Sequence, residues 1–117
     1  MKKLGNYLWV EKEGDIYTLS MTPELQDDVG TVGYVEFTRE SQVEAGDSLL
    51  SLEASKTVLD IFSPLSGRIV EVNSAAQDQP TLLNSANPAE SWLVRLTDVE
   101  EAAFLALPDP LDSERWG

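Results

Sequence analysis

The chain has 117 residues, 42% of them hydrophobic, and a formal net charge of −13. That length supports one core but not two, the hydrophobic content argues against global disorder, and no apolar run approaches the ~20 residues that span a bilayer. Such an acidic chain should repel nucleic-acid phosphates and anionic membrane surfaces and favour basic partners, although an acidic surface also serves solubility alone.

Cysteine and histidine are both absent. Disulfides, thiolate catalysis and the usual ligands of soft metals are thereby removed, and no metal site is expected. The common triads lose their base, and acid–base work near neutrality loses its default residue. What remains is carboxylates, hydroxyls and very few lysines, a poor toolkit for a self-contained enzyme. Met1-Lys2-Lys3 is followed by Gly5, Asn6 and then Glu11-Lys12-Glu13, without the apolar stretch of a secretory signal, so a cytoplasmic protein is the simplest expectation.

In chain order, Tyr7–Val10 and Ile16–Met21 read as a hairpin around the polar turn Glu11–Asp15. Thr22 caps a short helix Pro23–Val29, with Pro at the first position, Glu24 in the first turn and Gly30 as an αL cap. Gly30–Phe37 is a strand region in which glycines 30 and 33 suggest a bulge. Thr38–Asp47 reads as a polar loop. Ser48–Glu53 and Thr57–Phe62 are strands joined at Ala54-Ser55-Lys56, and Ser63-Pro64-Leu65-Ser66-Gly67 is a turn. Arg68–Asn73 alternates, which predicts burial of Ile69 and of Val70 and Val72. Ser74–Ser91 reads as a long structured loop around Thr81-Leu82-Leu83, followed by a strand Trp92–Leu96. Thr97 and Glu100 have the spacing of a capping box that opens a helix running to about Leu107. A core of about 7–107 in one domain over 1–117, with 108–117 as a loose tail, is the expected organisation. Short, regularly spaced strands with peripheral helices indicate a mainly β sandwich or barrel. The stretches Gly30–Phe37 and Gly67–Val72 echo each other weakly.

The lysines are Lys2, Lys3, Lys12 and Lys56, so one lysine serves everything beyond residue 12. It lies at a turn between two strands. A free lysine amine, with a pKa of roughly 10.4, is protonated in water. Activating it as a nucleophile requires an apolar pocket or a cationic neighbour. Glu53 and Asp60 do the opposite, while Ser55 and Thr57 indicate exposure, so acylation by a separate enzyme suits Lys56 better than catalysis. A solvated surface lysine is the plain alternative.

The wider pattern extends this reading. Glu53-Ala54-Ser55-Lys56-Thr57, followed by Asp60-Ile61-Phe62-Ser63-Pro64-Leu65-Ser66-Gly67, resembles the lipoyl-attachment signature of the glycine cleavage system H protein family. The resemblance continues in Tyr7-Leu8-Trp9-Val10, Gly14-Asp15-Ile16, Thr22-Pro23 to Gly30, Val35-Glu36-Phe37, Pro80-Thr81-Leu82-Leu83-Asn84 and Trp92-Leu93, roughly residues 7–107. Biotinyl domains usually flank their lysine with methionines, where Ser55 and Thr57 stand. Acyltransferase lipoyl domains are shorter and lack the Trp9 opening and the C-terminal helix. The resemblance implies a flattened barrel-sandwich hybrid, lipoate joined to Lys56, and Glu53 and Asp60 as features read by a lipoate ligase or a lipoyl/octanoyl transferase. It implies a carrier rather than an enzyme, and nothing in the sequence demands more than a monomer.

Two departures favour an H-like paralogue. Tyr7 stands where the family commonly has histidine, and Asn87-Pro88-Ala89-Glu90-Ser91-Trp92 stands where it commonly has Tyr-Gly before the late tryptophan. H-like carriers are associated with a lipoate ligase, a macrodomain and a sirtuin-type ADP-ribosyltransferase, so the resemblance further implies reversible ADP-ribosylation. Asp27 and Asp28 are the candidate acceptors, since carboxylates in a helix's last turn are disfavoured by its dipole; a solvated acidic face is the simpler account of them. A conventional H protein serving glycine decarboxylase and an aminomethyltransferase, and a non-lipoylated interaction module, are the alternatives.

Overall fold

The computed structural model describes residues 1–110. Alternating apolar residues build two antiparallel sheets whose inner faces share one core. The larger sheet contains β1 (Lys2–Gly5), β2 (Leu8–Glu13), β3 (Ile16–Met21), β5 (Gln42–Val43), β8 (Gly67–Val72) and β9 (Trp92–Thr97), in the order β1-β2-β3-β9-β8-β5. The smaller contains β4 (Val32–Phe37), β6 (Ser48–Ala54) and β7 (Val58–Phe62), in the order β4-β6-β7. Leu8, Val10 and Leu19 from the first sheet meet Val35, Leu50, Leu52 and Ile61 from the second. The extents of 36 × 36 × 23 Å describe the flattened barrel-sandwich hybrid expected from the sequence. The helices are small: α1 (Pro23–Val29), α2 (Ala75–Asp78), a 3-10 helix (Pro80–Asn84), α3 (Pro88–Ser91) and α4 (Glu101–Leu105). No helix among the described residues is long and apolar enough to cross a membrane.

Local signals place α1 where expected. The Thr22 hydroxyl accepts from the Leu25 amide at 3.2 Å and donates to the Tyr7 carbonyl at 2.6 Å, which ties the helix start to the β1–β2 turn. Gly30 ends the helix with φ 79° and ψ −153°, so it is not the αL cap expected: φ is positive, but ψ lies in a region open essentially to glycine alone. The bulge expected near Gly33 is present, between Val32 and Tyr34. It shifts the alternation, burying both Val32 and Val35 while Tyr34 faces solvent.

Several expectations are corrected. β1 was not foreseen, and the first predicted strand begins at Leu8, because Asn6 and Tyr7 form a two-residue hairpin loop with φ of 50° and 65°. The loop 38–47 contains β5, which pairs with β8 and buries Val43. The segment 74–91 carries three short helices rather than one turn. Val70 is exposed and Ile69 and Val72 are only partly buried, since a bulge between Ile69 and Glu71 interrupts β8. The capping box does not form. Thr97 remains in β9 and donates to the Asp15 carbonyl at 3.1 Å, while Glu100 occupies the N-cap of α4. Pro108 and Asp109, expected in the loose tail, are tied to β1: the Leu4 amide donates to the Pro108 carbonyl at 2.9 Å, and Lys3 pairs with Asp109 at 2.8 Å. The rest of that tail, 111–117, lies outside the described residues. The echoing stretches become β4 and β8, one in each sheet and each with a bulge.

Candidate functional site

The site is built from a two-residue turn and the linker that follows α1. β6 and β7 pair through Glu53 and Val58, and the Ala54 amide donates to the Thr57 carbonyl at 2.9 Å, leaving Ser55 and Lys56 at the tip. Neither tip amide is left to solvent. Ser55 donates to the Thr31 carbonyl at 2.9 Å, and Lys56 donates to the Val29 carbonyl at 3.0 Å. The Thr31 amide returns a bond to the Ser55 hydroxyl at 2.9 Å. Two hydrogen bonds from the turn's backbone and one to the Ser55 side chain therefore fix the turn against residues 29–31, while the Lys56 side chain stays exposed.

Gly30 permits this approach. A Cβ there would fall inside van der Waals contact of the Ser55 hydroxyl and 3.1 Å from Lys56 Cγ. Sequence reading found Gly30 as a helix stop but not as the clearance for the lysine turn, because the contact joins residues distant in the chain.

Lys56 Nζ donates to the Asp27 carbonyl at 2.8 Å. α1 has no basic residue in its last turn, so a cation from another element serves its negative end. Asp27 and Asp28 are exposed there, with Lys56 alongside Asp27. The other lysines meet different partners. Lys2 lies over the Trp9 ring at 4.5 Å, Lys3 is nearly buried against Asp109, and Lys12 sits 3.6 Å from Glu101.

Glu53 and Asp60 both lie on the exposed face of β4-β6-β7. Across the strands one row is Tyr34, Glu53 and Val58, and the next is Glu36, Ser51 and Asp60. Asp60 accepts from the Ser51 hydroxyl at 2.6 Å, and Glu36 accepts from the Tyr34 hydroxyl at 2.9 Å. That bond, with the charge of Glu36 and then of Glu53, raises the Tyr34 phenol above its ordinary range. Tyr34, Val58 and Phe62 are the exposed large apolar groups of this face. Beside it a cavity of about 390 Å³ is lined by Tyr7, Leu25, Leu59, Ile61 and Phe62. Among the described residues no group of three His, Cys, Asp or Glu could hold a metal. The arrangement offers an exposed amine on a held turn, with one carboxylate on each of the two strands that flank it, which suits modification by another protein.

Comparison with known proteins gives the family. The sequence profile of the glycine cleavage H-protein matches residues 1–112. A glycine cleavage system H-like protein from Staphylococcus aureus is 62% identical over 109 residues, covering 93% of this chain and 99% of that protein. A glycine cleavage system H protein from Listeria innocua is 39% identical over 109 residues, covering 92% and 86%. The crystal structure of a glycine cleavage system H protein from Mycobacterium marinum superposes with a TM-score of 0.79 at 26% identity, covering 98% of this chain and 94% of that one. The chain belongs to the glycine cleavage H-protein family, whose members are carrier proteins rather than enzymes.

Proposed function

We propose that the protein is a lipoyl carrier of the H-like type, with lipoate joined through an amide to Lys56 Nζ. The observation that carries this reading is the turn itself, in which both tip amides are bonded to residues 29–31 while the lysine side chain stays exposed. The dithiolane supplies the chemistry; the protein supplies placement. Glu53 and Asp60 are proposed to mark this lysine for a lipoate ligase or a lipoyl/octanoyl transferase. Intact-mass measurement after coexpression with a lipoate ligase tests the assignment. The wild type should gain one lipoyl mass and Lys56→Arg none; a lipoyl mass on Lys56→Arg would refute it.

Identity of 62% to an H-like protein, against 39% to a conventional H protein, supports the H-like reading. On that reading the lipoylated protein supports little glycine exchange with glycine decarboxylase and an aminomethyltransferase. Exchange at the rate of a conventional H protein would instead make it an aminomethyl shuttle. Reversible ADP-ribosylation, with a sirtuin-type transferase and a macrodomain as partners, belongs to the same proposal. Asp27 and Asp28 are its candidate acceptors, as exposed carboxylates at the end of α1 on which Lys56 rests. Peptide mapping of the ADP-ribosylated protein checks them, and an acceptor elsewhere would remove both.

A further inference from the structure

We infer that Asn84 is a positioning residue for acylation of Lys56, acting through the Gly30 linker without touching the lysine. The inference rests on the lipoyl reading of Lys56. Asn84 ends the 3-10 helix, 28 positions beyond the lysine. Its Nδ2 donates to the Gly30 carbonyl at 2.7 Å, and its Oδ1 accepts from the Val32 amide at 2.8 Å. One carboxamide thus grips the linker on both sides of Thr31. The linker in turn supplies what holds the lysine turn: the Val29 carbonyl, the Thr31 carbonyl and the Thr31 amide.

The chemistry of the grip is specific. Only a side chain with a donor and an acceptor a carboxamide's width apart satisfies both groups. A carboxylate keeps the acceptor for Val32 but turns an oxygen toward the Gly30 carbonyl. The grip is itself braced. Gln26 of α1 donates through Nε2 to the Leu83 carbonyl at 2.9 Å and to the Ser85 carbonyl at 2.8 Å, fixing the residues on either side of Asn84 to the helix that precedes the linker. Gln26, Asn84 and the linker therefore form a hydrogen-bonded frame, and the lysine turn hangs from its linker side. An enzyme that must seat Lys56 gains from a turn already in place, since a loose one pays its ordering entropy on binding.

The test uses the full chain in its unmodified form. Amide exchange at Thr31, Ser55 and Lys56 is measured by NMR in wild type, Asn84→Ala and the isosteric Asn84→Asp, together with steady-state kinetics of lipoylation by a lipoate ligase. Both variants should lose protection at those three amides and lose kcat/KM, each by about tenfold, the size expected when one or two hydrogen bonds of ordinary net strength are removed. Exchange at Leu19 and Val94, in the sheet core, should be unchanged. Asn84→Asp keeps the side-chain volume and one bond, and it decides the matter should Asn84→Ala fail to fold. Unchanged exchange at the three amides would overturn the inference, even if acylation slowed, because Asn84 would then act on the enzyme directly. An equal loss at Leu19 and Val94 would overturn it too, reducing Asn84 to a general stabiliser. If wild type gains no lipoyl mass, the acylation role falls with the lipoyl reading, and the exchange data still decide whether Asn84 orders the turn.

Discussion

Gly30→Ala isolates the contact on which the site depends. With φ at 79° and ψ at −153°, the residue occupies a region where a side chain costs about 1–3 kcal/mol in backbone strain. The new Cβ would also collide with the Ser55 hydroxyl and press on Lys56 Cγ at 3.1 Å. Moving that hydroxyl breaks its 2.9 Å bond from the Thr31 amide, a loss of about 1 kcal/mol. The total is about 2–4 kcal/mol, large against a typical stability of roughly 5–15 kcal/mol but survivable. Urea unfolding gives the number directly, read as a lower midpoint at constant m. The same substitution in a Ser55→Ala background removes the collision and leaves the strain, so its cost should fall to about 1–3 kcal/mol. A loss below ~0.5 kcal/mol in both backgrounds, within the range of neutral surface changes, would refute the strain and the contact together. Equal losses in both backgrounds would refute the contact with Ser55.

Three further outcomes follow from the packing and the electrostatics. Phe104 of α4 is fully buried and meets the Tyr17 ring edge-on at 5.1 Å, so Phe104→Ala should cost about 3–5 kcal/mol in urea unfolding. Tyr7 is 71% exposed at φ 65°, in a hairpin loop whose positive φ values favour Asn-Gly, so Tyr7→Gly should raise stability by up to ~1 kcal/mol. Tyr34 should titrate above 10.0 in ultraviolet difference spectra, and Glu36→Gln should bring it down. Because its folded-state value is raised, any stability from the Tyr34–Glu36 bond is present below the unfolded value and disappears as pH climbs through the folded one.

How far the sequence could be read depended on the range of the forces involved. α1 was legible to the residue because its start is set by Thr22 and Pro23 and its end by Gly30, all local. β6 and β7 were legible because their alternation and the turn between them are local as well. β1 was not. Lys2-Lys3-Leu4-Gly5 has no strand pattern and becomes one through pairing with Leu8–Glu11 and through the Pro108 carbonyl. Thr97 and Glu100 carried a valid capping signal that sheet pairing overrode, since Thr97 lies opposite Arg68 in the ladder. At the site, Lys56, Glu53 and Asp60 stood out by residue type and spacing. The contacts of Gly30, Ser55 and Asn84 with one another's segments did not stand out, because they arise only when α1, the lysine turn and the 3-10 helix meet.

That meeting also answers a difficulty posed by charge. In a chain of net charge −13, a lone ammonium beside carboxylates should be drawn into an ion pair that holds it down. Lys3 and Lys12 are held in that way. Lys56 forms no ion pair with the described residues, and of the two carboxylates on the strands beside it, Asp60 takes the Ser51 hydroxyl. The Lys56 ammonium rests on a main-chain carbonyl at the end of α1. An exposed bond of that kind contributes at most ~1 kcal/mol, screened further by salt. The turn is held by three bonds, two from its backbone amides and one at the Ser55 hydroxyl, and its amine by one weak one, so on the proposed reading an enzyme can lift the side chain without disturbing the scaffold that presents it.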